Sequence, residues 1–99
     1  MTAPMSEKRL QQNVLDLCKV MHLLAYHTHD SRRSTPGFPD LVIVGPNGIL
    51  YRELKTEVGK LSGEQMKWLT GLQAANADAG TWRPHHWPEA IQTELQEIR

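Results

Sequence analysis

Three residues of this sequence, Asp40, Glu53 and Lys55, have the types and spacing to do chemistry on a phosphate ester. They lie within residues 39–55, PDLVIVGPNGILYRELK. The run Leu41-Val42-Ile43-Val44 is short, apolar and bounded by turn residues, which predicts a strand buried on both faces. Gly45-Pro46-Asn47-Gly48 is a cluster of turn formers, and residues 49–55 return antiparallel. If the loop is those four residues, Val44 pairs with Ile49, and the same register sets Asp40 opposite Glu53, a few Å apart. Lys55 is two residues beyond Glu53, so its side chain leaves the same face while Leu54 points to the other.

Two opposed carboxylates are costly in a purely structural sheet, because like charges across adjacent strands repel and an acid near a core must shift its pKa or find a partner. A divalent cation resolves the conflict. Mg²⁺ takes oxygen ligands, commonly one or two carboxylates plus waters, and leaves positions open for a phosphate. A lysine beside it can orient a water or stabilise developing negative charge. The trio is thus a candidate site for metal-assisted hydrolysis of a phosphodiester. The bland alternative is a Glu53–Lys55 surface ion pair, with Asp40 capping a turn after Pro39.

The 99 residues predict one domain, 1–99, with a small core. Lys plus Arg and Asp plus Glu both number 11, which argues against a binder that relies on overall positive charge. It does not exclude a nuclease, whose metal-binding acids cancel basic residues elsewhere. No membrane span or signal peptide is visible, and the single Cys18 forms no internal disulfide. The expected location is the cytoplasm of a bacterial or phage-infected host cell.

The elements that must position the trio follow from periodicity. Ser6 is placed to cap a helix running to about Leu24, with Leu10, Val14, Leu17 and Met21 as its apolar stripe. Glu7, in its first turn, either complements the helix dipole or reaches the acid site. Residues 25–29 alternate as a short strand. The polar stretch 30–37 holds Arg32 and Arg33, suited to phosphate contacts or to a solvated loop. After a loop at 56–61 with Gly59 as its flexible point, Ser62 and Gln65 form a capping box for a second helix. Its stripe is expected to be Gln65, Trp68, Leu72 and Ala75, so Gln65 either caps or points at the site. That helix is expected to fade through Asn76 to Gly80, with Gly80 as terminator. Residues 81–87 read as a last strand, and Pro88-Glu89 opens a helix with Ile91, Leu95 and Ile98 on one face. A helix between the hairpin and the last strand implies a right-handed crossover and a mixed sheet flanked by helices, an α/β fold.

Zinc is a weaker reading. Cys18 and His22 would stand one helical turn apart, but His85 and His86 would point to opposite faces of a strand, and no recognised ligand spacing is present. Trp68, Trp82 and Trp87 could stack on bases, though core packing or a dimer interface suits so small a chain better.

Gly37-Phe38-Pro39-Asp40-Leu41, Glu53-Leu54-Lys55, and Gly59-Lys60-Leu61-Ser62 with Gln65 and Trp68-Leu69 together resemble the VRR-NUC domain. That family is the virus-type replication-repair nuclease branch of the PD-(D/E)xK superfamily, with its restriction-endonuclease-like core. The resemblance runs from Glu7 to the region around Trp87. It implies that Asp40 and Glu53 bind the metal, with the Leu54 carbonyl as a further ligand, and that Lys55 is catalytic. It also matches Glu7 to an acid of the first helix and Gln65 to a glutamine after the lysine motif. Lys60 joins Arg32 and Arg33 as an expected DNA contact. The implied activity is an endonuclease using Mg²⁺ or Mn²⁺ on branched or duplex DNA, resembling Holliday-junction resolvases and acting as a homodimer. The alternative is a non-catalytic nucleic-acid-binding or assembly module that keeps the fold.

Overall fold

A computed structural model describes residues 5–28 and 35–99. The order is α1 (Glu7–Val20), β1 (Leu24–His27), β2 (Leu41–Gly45), β3 (Gly48–Leu54), α2 (Gly63–Ala74), β4 (Asp78–Trp82) and α3 (Glu89–Ile98), with a 3₁₀ turn at Pro84–His86. The four strands form one sheet in the order β1-β2-β3-β4. β1, β2 and β3 run antiparallel, and β4 lies parallel to β3 after the α2 crossover. This is the expected mixed α/β sheet flanked by helices.

The hairpin has the expected register, with Val44 opposite Ile49. Pairing extends further into the turn than expected, to Gly45 opposite Gly48, so the connection shortens to Pro46-Asn47. The backbone of Ile98 passes so close to Gly45 that a Cβ there would collide with its carbonyl. Asn47 N–H donates to that same Ile98 carbonyl at 2.9 Å, docking the turn on the end of α3.

The sheet has two unlike faces. Leu41 and Ile43 of β2, Leu50 and Leu54 of β3, and Trp82 of β4 pack with Leu10, Val14 and Cys18 of α1 and Ile91, Leu95 and Ile98 of α3. Each such side chain contributes about 1.5–3 kcal/mol through burial, so this layer holds the sheet flat side inward. The alternate residues face the other way, where α2 covers only part of the sheet. β2 is therefore not buried on both faces, since Val42 and Val44 remain half-buried.

Both helix ends depart from expectation for one reason. α1 stops at Val20 rather than near Leu24, because His22 takes φ 60° and turns the chain. His22 N–H donates to Lys19 O and Leu23 N–H to Cys18 O, a Schellman closure. β1 then starts at Leu24, one residue before the expected strand, and Cys18 and His22 do not share a helix. α2 ends the same way: Asn76 has φ 66°, with its N–H on Gln73 O and Ala77 N–H on Leu72 O. Gly80 is thus no terminator but a strand residue, and β4 occupies Asp78–Trp82 in place of the expected 81–87.

Candidate active site

The hairpin register, continued by one pair past Leu41 and Arg52, brings Asp40 opposite Glu53 on the α2-facing side. Asp40 is fixed at the mouth of β2. Its carbonyl accepts from Thr28 N–H at 3.2 Å, and its Oδ2 accepts from Leu54 N–H at 2.9 Å. Upstream, Gly37 has φ 93° and lies against the backbone of Glu64, where any side chain would clash, so the Phe38-Pro39 approach is pressed onto the start of α2. Phe38 stacks edge-on against both Trp68 and Tyr51, with ring centroids 5.2 and 6.3 Å away.

Glu53 is 3 % exposed. Its Oε2 accepts from Gln65 Nε2 at 2.8 Å. Its Oε1 is buried and has no hydrogen-bond partner among the described residues. Burial first, and then the charge of the facing Asp40, push the Glu53 carboxyl up to about 8, while the charge of Lys55 pulls it down. Above that value Glu53 is a buried carboxylate facing Asp40, with one oxygen left without a donor among the described residues.

Gln65 does both of the things its sequence position allowed. Its Oε1 accepts from Ser62 N–H at 2.9 Å and Ser62 Oγ accepts from Gln65 N–H at 3.1 Å, completing the capping box. The remaining amide end reaches Glu53. Along the rest of α2 the expected stripe is displaced: Leu69 is the buried residue, Trp68 and Leu72 are half-buried, and Ala75 is exposed.

Lys55 is half-buried, one residue past β3, and its N–H donates to Trp82 O at 3.1 Å, continuing the parallel ladder. Glu7 is exposed in the first turn of α1. Among the described residues no three or more His, Cys, Asp and Glu side chains gather to hold a metal ion. The structure therefore brings Asp40, Glu53, Lys55 and Gln65 together and leaves Glu7 outside such a cluster. Two carboxylates, a main-chain carbonyl such as that of Leu54, and waters are a sufficient donor set for Mg²⁺ or Mn²⁺. Lys60 is exposed in the loop before α2. Arg32 and Arg33 lie outside the described residues.

The dispersed histidines and tryptophans are mostly structural. His85 and His86 sit in the 3₁₀ turn with rings 4.0 Å apart, not on opposite faces of a strand. Trp82 is in the core, and its Nε1 donates to Glu94 at 3.1 Å. Sequence reasoning missed Arg52, which is buried on the α1/α3 side of the sheet. Its guanidinium reaches Asp78 at 2.8 Å and Glu94 at 2.6 Å and donates to the carbonyls of Tyr51 and Asp78. An arginine at the core-facing register of β3, between Leu50 and Leu54, was the available signal.

The model of the VRR-NUC domain family matches residues 2–84. A solved structure described as a VRR_NUC domain protein superimposes with a TM-score of 0.73 at 18 % identity, covering 98 % of this chain and 91 % of that one. No curated protein matches. At that identity the superposition speaks for the fold, which is PD-(D/E)xK-like, and the family model implies a nuclease-type function that acts on nucleic acid. No helix among the described residues is long and apolar enough to cross a membrane. The chain belongs to the VRR-NUC domain family.

Proposed function

We propose that the protein is a divalent-cation-dependent endodeoxyribonuclease that hydrolyses phosphodiester bonds in branched or duplex DNA. The observation that carries this function is the buried Glu53 oxygen without a donor, opposed by Asp40 on the neighbouring strand. A module that only bound nucleic acid would gain nothing from that arrangement, because it weakens the fold unless a cation is present.

Asp40, Glu53 and the Leu54 carbonyl would hold Mg²⁺ or Mn²⁺, which lowers the pKa of a bound water and neutralises charge at the phosphate. The Leu54 N–H and the Gln65 amide keep the two carboxylates from swinging into solvent. Lys55 orients the attacking water and offers a positive charge to the phosphate oxygens as they gain charge. Glu7, exposed, would contribute through water rather than directly. Lys60, Arg32 and Arg33 would meet flanking phosphates.

Cutting both strands of a junction calls for two sites, which a two-fold homodimer supplies. The sheet offers a surface for it: Leu24, Tyr26 and Ile49, on the same face as the acids, are 73, 61 and 45 % exposed. Cleavage of single-stranded, duplex, flap and four-way-junction DNA, in Mg²⁺, Mn²⁺ or EDTA, tests the activity. Lys55→Ala is expected to lower the rate at least about 100-fold. No cutting by the wild type in any metal would favour the binding-module alternative.

A further inference from the structure

Lys55 carries its charge on a flexible four-carbon stem, so its aim depends on how firmly the backbone around it is held. On one side it is the end of β3. On the other it opens a loop, residues 56–61, that has no regular secondary structure. Such loops are ordinarily mobile. This one is tied down from the segment that follows β4. Arg83 Nη1 donates to the carbonyls of Thr56 at 2.6 Å and Gly59 at 2.7 Å, with Glu57 O at 3.3 Å. Glu57 in turn accepts from His85 N–H at 3.0 Å and pairs with His85 Nδ1 at 2.9 Å. Arg83 is itself fixed, since its N–H donates to His86 Nδ1 at 2.8 Å.

We propose that Arg83 is a positioning residue for the hydrolysis: it gathers three carbonyls of the loop after Lys55 and thereby fixes the direction of Lys55 and the start of α2 that carries Gln65. This proposal rests on the nuclease reading. A guanidinium that spends one nitrogen on main-chain carbonyls is not there to neutralise an acid, and Arg83 forms no ion pair among the described residues. The guanidinium's partners are all within four residues of Lys55. A displacement of about 1 Å in a catalytic group can cost on the order of 100-fold in rate, so a clamp at this point acts on turnover more than on substrate binding.

The test compares wild type, Arg83→Met and Arg83→Lys. Methionine keeps an unbranched apolar stem and removes every donor. Lysine is one atom shorter but presents three N–H donors on one nitrogen, as the carbonyl cluster requires. Two quantities are read: kcat and KM on the wild type's preferred DNA, and amide hydrogen exchange of residues 55–61. Arg83→Met is expected to lower kcat about 10- to 100-fold with KM changed less than about 3-fold, and to speed exchange in the loop. Arg83→Lys is expected to recover most of both. A raised KM with unchanged kcat would mean that Arg83 touches DNA phosphate and would overturn the proposal. Loop exchange unaltered in Arg83→Met would overturn it as well. Failure of the wild type to cut would count against the nuclease reading instead, and the exchange rates would still decide the clamp. If Arg83→Met does not fold, Arg83→Gln, which is too short to reach the three carbonyls together, takes its place: a fall in kcat with faster loop exchange supports the clamp, and wild-type exchange or a raised KM at unchanged kcat overturns it.

Discussion

Gln65 donates from Nε2 to Glu53 Oε2 at 2.8 Å while its Oε1 accepts from Ser62 N–H at 2.9 Å. One side-chain amide therefore caps α2 and holds the buried acid, so the helix end and the site share a part. Two substitutions separate its roles. Gln65→Ala loses both and is expected to cost about 1 kcal/mol of stability and to slow cleavage about 10-fold or more. Gln65→Glu can keep the cap but sets a third carboxylate against Glu53. It should stay close to the wild type in helix content, lose cleavage, and melt lower in the absence of metal. Thermal melts and single-turnover cleavage check both.

The raised Glu53 pKa makes metal-free stability pH-dependent. Unfolded, the group titrates near 4.5; folded, near 8. Between those values the folded state holds a proton that the unfolded state has lost, so stability is full below about 4.5 and falls as pH rises toward about 8. Melting temperatures in EDTA should therefore decline across that window. Mg²⁺ should restore them, most strongly at the alkaline end. Asp40→Asn removes the opposing charge and should make the decline shallower without abolishing it, because burial is the larger cause of the shift.

Arg52 is expected to be a stability residue rather than a site residue. It joins β3 to β4 and α3 through Asp78 and Glu94, and Glu94 also accepts from Trp82. Arg52→Met should cost about 1–3 kcal/mol, since it removes a buried guanidinium that satisfies the Tyr51 and Asp78 carbonyls and the partly buried Glu94, while the Asp78 carboxylate stays solvated. Chemical denaturation would measure it, and cleavage at low temperature should change little.

The two left-handed closures predict gains. His22 and Asn76 hold φ near 60° without being glycine. His22→Gly should stabilise the fold by about 0.5–1 kcal/mol and Asn76→Gly by less, because asparagine tolerates that conformation better. For a chain of this length about 1 kcal/mol moves the melting point by about 4–8 °C.

The hairpin was legible because its cues agree: turn formers at 45–48 fix the register, and alternation fixes the faces. That register was enough to pair Asp40 with Glu53. The helix ends were not legible, because the chain turns at a histidine and an asparagine where glycine is the usual signal. β4 hid for a related reason, since Asp78-Ala79-Gly80 lacks the branched and aromatic residues that mark a strand. The α2 stripe misled because the face it packs on is only partly covered, so Trp68 and Leu72 remain half-buried. The roles of Arg52 and Arg83 were not legible because, the Tyr51 carbonyl aside, their guanidinium partners lie 24 to 42 residues away in the chain. No local pattern encodes such a contact.

The most direct measurement compares wild type and Glu53→Gln for cleavage of duplex and four-way-junction DNA in Mg²⁺, together with their melting temperatures in EDTA. Glutamine preserves shape while removing the buried charge. The expected result is metal-dependent cutting by the wild type, none by Glu53→Gln, and a higher metal-free melting temperature for the variant at pH above about 8. Cutting by Glu53→Gln at the wild-type rate would contradict the assignment of Asp40 and Glu53 as the acids that hold the cation.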